Sequence, residues 1–435
     1  MFVRGKFLGY SNRVLPFAMA LGAIACGLQI GLLAAFCQTK NADLTEPTVK
    51  VLESPRRYEI KIADLPAPFA TESARRSSRY VEQPKDAVLY APKGFKVNVF
   101  AEGGFQNPRW LALAPNGDVF LADSAANKVI VLRDKNNDGR ADERFTFAEG
   151  LTLPFGMAFG NGYLYVANTN SVVRFKYQNG QTQAAEASEK IIDLPGQGYN
   201  QHWTRNVIFS PDRKKLYVTV GSQSNVSVEP DARRAAISEY NPDGSGFRVF
   251  AGGLRNSVGV AFNSVTKQLW TTVNERDGLG DDLVPDYLTS VKDGAFYGWP
   301  FAYLGANEEP RRKGENPELV KKTVVPEVLF QAHSAALGLA FYDGKMFPKE
   351  YVGDAFVAFR GSWNRAKLTG YKIVRVRFKN GQPVGGYEDF LTGWLPDENS
   401  NEVWGRPVGL LVLPDGSLLI TDDTDKKIWR VSYKK

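Results

Sequence analysis

Two stretches far apart in the chain read almost alike: Arg255–Asn274 is RNSVGVAFNSVTKQLWTTVN, and Arg406–Asp422 is RPVGLLVLPDGSLLITD. Each is a short apolar strand, a turn of Pro, Asn, Asp, Gly or Ser, and a second apolar strand. The same phrase opens at Asn107–Asp123, Leu153–Asn168, His202–Gly221 and His333–Ala358, so it occurs six times. Repetition of a strand–turn–strand unit predicts an all-β, six-bladed β-propeller, because each blade buries its faces only by stacking on its neighbours. In such a ring the same position of every repeat faces the same axis, so polar residues placed there converge.

Aligned on Trp110, Gly156, Asn206, Gly259, Gly338 and Gly409, the repeats place His202, Arg255, Asn256, His333 and Arg406 three to five residues upstream. His202 and His333 are the only two histidines of the chain. The shared offset gathers two imidazoles, two guanidiniums and an amide on one face of the axis. That is a cationic pocket with a base, suited to a polyanionic ligand. Arginines at blade starts also serve by bonding neighbouring carbonyls, so each residue taken singly carries little. The coincidence of offset is what points to function.

Outward from the repeats, Gly94–Ala101 alternates apolar and polar and is expected to pair with the last repeat, closing the ring within residues 94–435. Lys128–Arg133, Val172–Tyr177, Ala236–Tyr240, Tyr371–Phe378 and Lys427–Tyr433 read as third strands. Asp277–Pro326 and Gly381–Gly405 read as long connections, which in a compact fold form lids or binding walls. Residues 38–93 read as a polar, proline-containing linker with one strand near Tyr58–Ile62. Residues 1–37 hold Arg4, Lys6 and Arg13 ahead of an apolar run from Val14 to Cys37, about 23 residues and long enough to cross a bilayer. This predicts export, periplasmic or extracellular, by a signal peptide or a retained anchor, with membrane contact only through that run. Both cysteines, Cys26 and Cys37, lie inside it, so the exported part has neither thiol nor disulfide. The net charge of +7 is spread along the chain, which argues against a nucleic-acid partner.

Two acidic segments bear on metals. Asp134, Asn136, Asp138 and Asp142 are spaced like the start of a calcium loop, but Phe145 stands where the bidentate Glu is required. This leaves a structural calcium site or a polar hairpin tip. Asn274–Asp282 (NERDGLGDD) is the densest acidic cluster and follows the repeat that carries Arg255 and Asn256; it is a second candidate for calcium or a solvated loop. No His-x-His pair, no Gly-x-Ser-x-Gly elbow and no dinucleotide glycine pattern occurs.

Gln201-His202 with Ser210-Pro211-Asp212, Gly253-Leu254-Arg255-Asn256 with Gly259-Val260-Ala261-Phe262, and Tyr297-Gly298-Trp299-Pro300 occur in this order. With them the chain resembles the soluble quinoprotein sugar dehydrogenases, the glucose/sorbosone dehydrogenase family that uses pyrroloquinoline quinone (PQQ), in its L-sorbosone dehydrogenase-like branch. The resemblance implies a PQQ- and calcium-dependent oxidation of a sugar or sugar-derived aldehyde, with electrons leaving to an external quinone or cytochrome. It implies that His202 is the general base. Arg255, Asn256, His333 and Arg406 then line the cofactor, as does Arg360 or Arg365 in place of the family's lysine. The backbone carbonyls of Asp277 and Gly278 are expected on the PQQ calcium. The chain departs from the family at Gln201, at Val408 and near Leu151–Pro154. The alternatives are a metal-dependent propeller lactonase and a non-catalytic binding propeller.

Overall fold

The structure is a computed structural model and describes residues 46–196 and 202–434. The apolar run with Cys26 and Cys37, and Gln201, lie outside the described residues.

Six antiparallel sheets follow one another along the chain. The first runs Pro108–Leu113, Val119–Asp123, Lys128–Arg133, Glu143–Ala148; the second begins at Met157–Gly160 and the third at Arg205–Phe209. The fourth is Ser257–Phe262, Leu269–Val273, Pro285–Ser290, Val328–Ala332. The fifth is built on Ala336–Phe341 and Ala355–Phe359, and the sixth on Pro407–Val412, Leu418–Asp422 and Lys427–Tyr433. Phe95–Glu102 is the outer strand of the sixth sheet and pairs with Lys427–Tyr433, so the expected closure holds. This is a six-bladed β-propeller.

The aligned residues of the repeats are the contacts between blades. A Cβ on Gly259 would lie 2.2 Å from Leu337 O of the next blade, and one on Gly409 would lie 2.4 Å from Arg109 O. Asn206 donates from Nδ2 to Val258 O at 2.8 Å, and the ring of Trp110 lies 5.0 Å from that of Phe155. Inner strands therefore meet backbone to backbone around the axis, which is why a small residue recurs there. Between blades, large rings fill the wedge: Trp270, fully buried, packs on Phe341 and Phe378 of the fifth blade.

Two readings of the connections change. Asp277–Pro326 contains the third strand of the fourth blade, Pro285–Ser290, and Gly381–Gly405 contains the outer strand Tyr387–Leu391. Both strands are buried on both faces, so they lack the alternation that marks a half-buried strand. The segment read as a linker is bound to the propeller along its described length. Arg57–Tyr58 adds a fifth strand to the fifth blade, close to the strand expected at Tyr58. Thr48–Val51 pairs in parallel with Val88–Ala91, and Arg79–Tyr80 with Glu402–Val403. Such two- to four-residue pairings are too short for any period to show in the sequence.

Candidate functional site

His202 precedes the inner strand of the third blade. Arg205, itself buried, donates to His202 O at 2.5 Å and to Thr204 O at 2.9 Å, fixing the backbone at this point. The Nδ1 atom of His202 lies 2.9 Å from Ser222 O and 3.1 Å from Ser222 Oγ. A carbonyl only accepts, so Nδ1 carries the proton and Nε2 carries the lone pair. Burial, and then the Arg255 charge, lower His202 to about 3, so the ring is neutral at physiological pH. Gly221 has no room for a side chain. A Cβ there would lie 2.4 Å from Asn256 Oδ1 and 2.7 Å from His202 Cβ, which puts these two predicted residues side by side. Asn256 Oδ1 is buried without a hydrogen-bond partner.

Arg255 is placed differently from a ligand-binding arginine. All of its N–H groups are taken: Nε by Asn225 O at 3.4 Å, Nη1 by Asn274 O at 3.3 Å and Glu275 O at 2.6 Å, and Nη2 by Asn225 Oδ1 at 3.0 Å and Asp277 Oδ2 at 3.2 Å. It clamps the Asn274–Asp282 loop and does not present a free fork. The Asp277 carbonyl, expected on calcium, accepts from Asn225 Nδ2 at 2.8 Å and Arg311 Nη1 at 2.9 Å, so both of its lone pairs are committed. The donor set at Asp277 thus does not fit a calcium ion. The adjoining Gly278 is in a left-handed turn at φ 89°.

His333 is 7% exposed and locked. Asn364 Nδ2 donates to His333 Nδ1 at 3.1 Å and to Asp277 Oδ1 at 2.5 Å, while His333 Nε2 donates to Gly280 O at 3.3 Å. Its tautomer is therefore opposite to that of His202, and its lone pair is used. Arg365 braces the same loop, through Asp281 O at 3.2 Å and the Asp282 carboxylate. It is a loop brace rather than a pocket arginine. Residues of the preceding segment hold the loop from outside: Ser73 Oγ accepts from Gly280 N at 3.1 Å and Thr71 Oγ1 from Asp281 N at 2.9 Å.

The other side of the axis is a cluster around Asp423. Arg360 Nε donates to Asp423 Oδ2 at 2.7 Å, and Arg109 binds the same oxygen. Arg406 donates to Arg360 O and Gly361 O, both at 3.2 Å. The Arg109 guanidinium lies over Trp203, 5.1 Å from the ring centre, and Trp203 adjoins His202. A chain of contacts thus runs round the axis from His202 through Arg255, Asp277 and Asn364 to the Arg360–Arg365 loop, and back through Asp423, Arg109 and Trp203. His202 and Asn256 pack against Gly221, Arg255 and His333 meet at Asp277, and Arg406 joins Arg360 in the Asp423 cluster. The hairpin-tip oxygens are elsewhere. Asp134 accepts from Gly139 N at 2.8 Å, and Asp142 from Lys135 N at 2.8 Å and Asn136 Nδ2 at 3.1 Å. Asp138 accepts from Asn136 Nδ2 at 3.1 Å. Their side chains close a turn on themselves, and among the described residues no group of three His, Cys, Asp or Glu gathers to hold a metal.

Residues 89–286 and 305–434 match the family model described as TrAA12-like. The chain belongs to this family. A Borreliella burgdorferi protein described only as uncharacterized is 30% identical over 361 residues, covering 80% of this chain and 92% of that one. The pyrroloquinoline quinone-dependent pyranose dehydrogenase of Coprinopsis cinerea is 26% identical over 393 residues, covering 75% of this chain and 52% of that one. The chain thus spans about half the length of that relative. The calcium structure of a Trichoderma reesei carbohydrate-active enzyme of family AA12 has the same fold, with a TM-score of 0.69 and 21% identity over 82% of this chain and 98% of that one.

Of the residues that hold these contacts together, Arg109, Asp423, Asn225 and Asn364 were not expected from the sequence. Arg109 was within reach: it stands in the first repeat, next to the aligned residue Trp110, but closer to it than the other axial residues are to theirs. Asp423 follows the second strand Leu418–Asp422, outside the offset that the repeats share. The two imidazoles supply a direct check on the site's electrostatics. Both are lowered in the folded state, His333 also by burial first. A lowered histidine contributes stability in full above its unfolded value of about 6.5, and this is lost as pH falls toward the folded value. The expected result is that the His202 ring resonances do not titrate between about pH 8 and pH 5 and that the His333 midpoint lies below the ordinary histidine value. Proton NMR of histidine-labelled protein measures this, and a midpoint near 6.5 for His202 contradicts the geometry.

Proposed function

We propose that this protein is an exported PQQ-dependent dehydrogenase that oxidises a sugar or sugar-derived aldehyde, of aldose, pyranose or sorbosone type, with His202 as general base. The observation that carries the reading is the His202 tautomer. Ser222 O holds the proton on Nδ1, so the lone pair of the neutral ring is on Nε2, close to the Arg255 charge. The residues present fit a flat polycarboxylate: two guanidiniums, Arg109 and Arg360, share one carboxylate, Asp423, with Arg406 beside them, and Arg109 Nε is buried without a partner. Arg360, Arg406 and Asn256 would hold the cofactor, which when bound accepts the hydride. Asn256 and His202 both pack against Gly221, so the amide that would orient the reacting hydroxyl neighbours the residue proposed as base. Arg255 and His333 act one step back, by holding Asp277 and its loop. The name of the Coprinopsis relative supports PQQ and a pyranose; the Trichoderma structure supports adding calcium to the test. The absence of cysteine after Cys37 is consistent with an oxidising compartment.

The test is reconstitution of the protein with PQQ, with and without calcium, followed by dye reduction with glucose and other pyranoses and with sorbosone. Sugar-dependent dye reduction that requires PQQ is expected. A protein that neither binds PQQ nor reduces dye with any of these substrates overturns the reading. Hydrolysis of a lactone without PQQ would favour a hydrolase instead.

A further inference from the structure

We infer that Arg109, from the first blade, is a ligand-binding residue that takes a carboxylate group together with Arg360 and Arg406; this rests on the PQQ reading for the identity of the ligand. Its position makes an ion-pair role alone insufficient. Asp423 is already paired by Arg360 Nε at 2.7 Å, so one carboxylate serves two guanidiniums while Arg406 lies beside them. The neighbouring Asp422 does not restore balance, because burial and Asp425 raise it to about 7, where much of it is uncharged. Three permanent cations thus stand against little more than one negative charge at neutral pH. Burying such an excess is costly without an anion to offset it.

The unused donors point to the same conclusion. Arg109 is 5% exposed, and its Nε is buried without a partner. Among the described residues nothing claims the terminal nitrogens of Arg360, whose only bond is through Nε. Arg406 spends Nε and Nη2 on carbonyls and keeps Nη1. Guanidinium forks with spare parallel N–H groups match carboxylates. Arg109 is also held flat, over Phe155 at 5.4 Å and Trp203 at 5.1 Å, and so cannot swing away to solvent. Trp203, next in the chain to the His202 base, thus links the guanidinium cluster to the His202 side of the axis.

The experiment compares the parent protein with Arg109→Met, Arg109→Lys and a control, Arg133→Met. Arg133 is in the same blade, paired to Asp118 and away from the axis. PQQ affinity is measured by fluorescence titration, and pyridine-2,6-dicarboxylate is used as a cofactor-independent probe by the rise it causes in melting temperature. Each variant is compared with its own unliganded baseline, so a change in stability alone does not register. Arg109→Met is expected to weaken both ligands by about 10- to 100-fold, the loss of a charge-assisted hydrogen bond or two. Arg109→Lys is expected to recover part of this, and Arg133→Met to match the parent. If the parent binds both and Arg109→Met binds within about twofold of it, the proposal is overturned. If the parent binds the dicarboxylate but not PQQ, the cofactor reading fails while Arg109 is still judged by the dicarboxylate. If the parent binds neither, the anion site itself is refuted.

Discussion

His202→Ala is expected to lower sugar-dependent dye reduction by about 10²–10⁴-fold while PQQ still binds. The argument starts from the tautomer. Ser222 O can only accept, so it holds the Nδ1 proton, and the lone pair of the neutral ring is on Nε2. No other imidazole can replace it: the lone pair of His333 is consumed by Asn364, 3.1 Å away. A ring lowered to about 3 is a weak base, and burial and Arg255 are the main causes. A bound polycarboxylate sets negative charge against Arg255 and its neighbours, which raises the imidazole toward the range where a base is effective. The variant therefore separates two roles. The guanidiniums hold the ligand, and His202 moves the proton. Turnover within tenfold of the parent would show that the base lies elsewhere. Loss of PQQ binding together with turnover would show that His202 is structural. The residue is partly exposed and fills a gap beside Gly221, so a small fall in stability is compatible with the expected result.

The fold was legible because it rests on repetition. Six copies of one phrase fix a ring, and a common offset fixes a face, whichever contacts each side chain then makes. Arg255 shows where that reading stops. Its position was predictable, but not its role, because the five groups that saturate it come from Asn225 and from Asn274–Asp277, loops outside the repeat phrase. Arg365 follows the same rule, spent on Asp281 and Asp282. Asp423 and Asn364 were missed for the converse reason: each lies past the end of a second strand, where no phrase recurs. The Pro285–Ser290 strand was hidden because both of its faces are buried, and its pairing is decided by tertiary contact rather than by alternation.

Arg276→Met is expected to destabilise the protein by about 3–5 kcal/mol, read as a fall in the denaturant midpoint at unchanged slope. Arg276 sits in the NERDGLGDD stretch yet is not solvated: it and its two acidic partners, Glu275 and Glu309, are fully buried. It donates to Glu275 at 3.0 Å, to Glu309 at 3.4 Å, and to Pro300 O and Ala302 O at 3.3 and 2.6 Å. Removing it leaves Glu309 with Arg311 but strands Glu275, whose Oε1 already has no partner. The cost is therefore that of an uncompensated buried carboxylate, and adding Glu275→Gln to the variant is expected to recover part of it. A midpoint shift worth less than about 1 kcal/mol would mean that water or a rearranged loop takes over the pairing. The consequence for the site follows from chain connectivity. Asp277 is the next residue, and through it Arg255 and Asn364 set the His333 side of the axis. Arg276→Met should thus lose stability, PQQ affinity and turnover together. His202→Ala should lose turnover alone, and the contrast between the two variants separates the scaffold of the site from its chemistry.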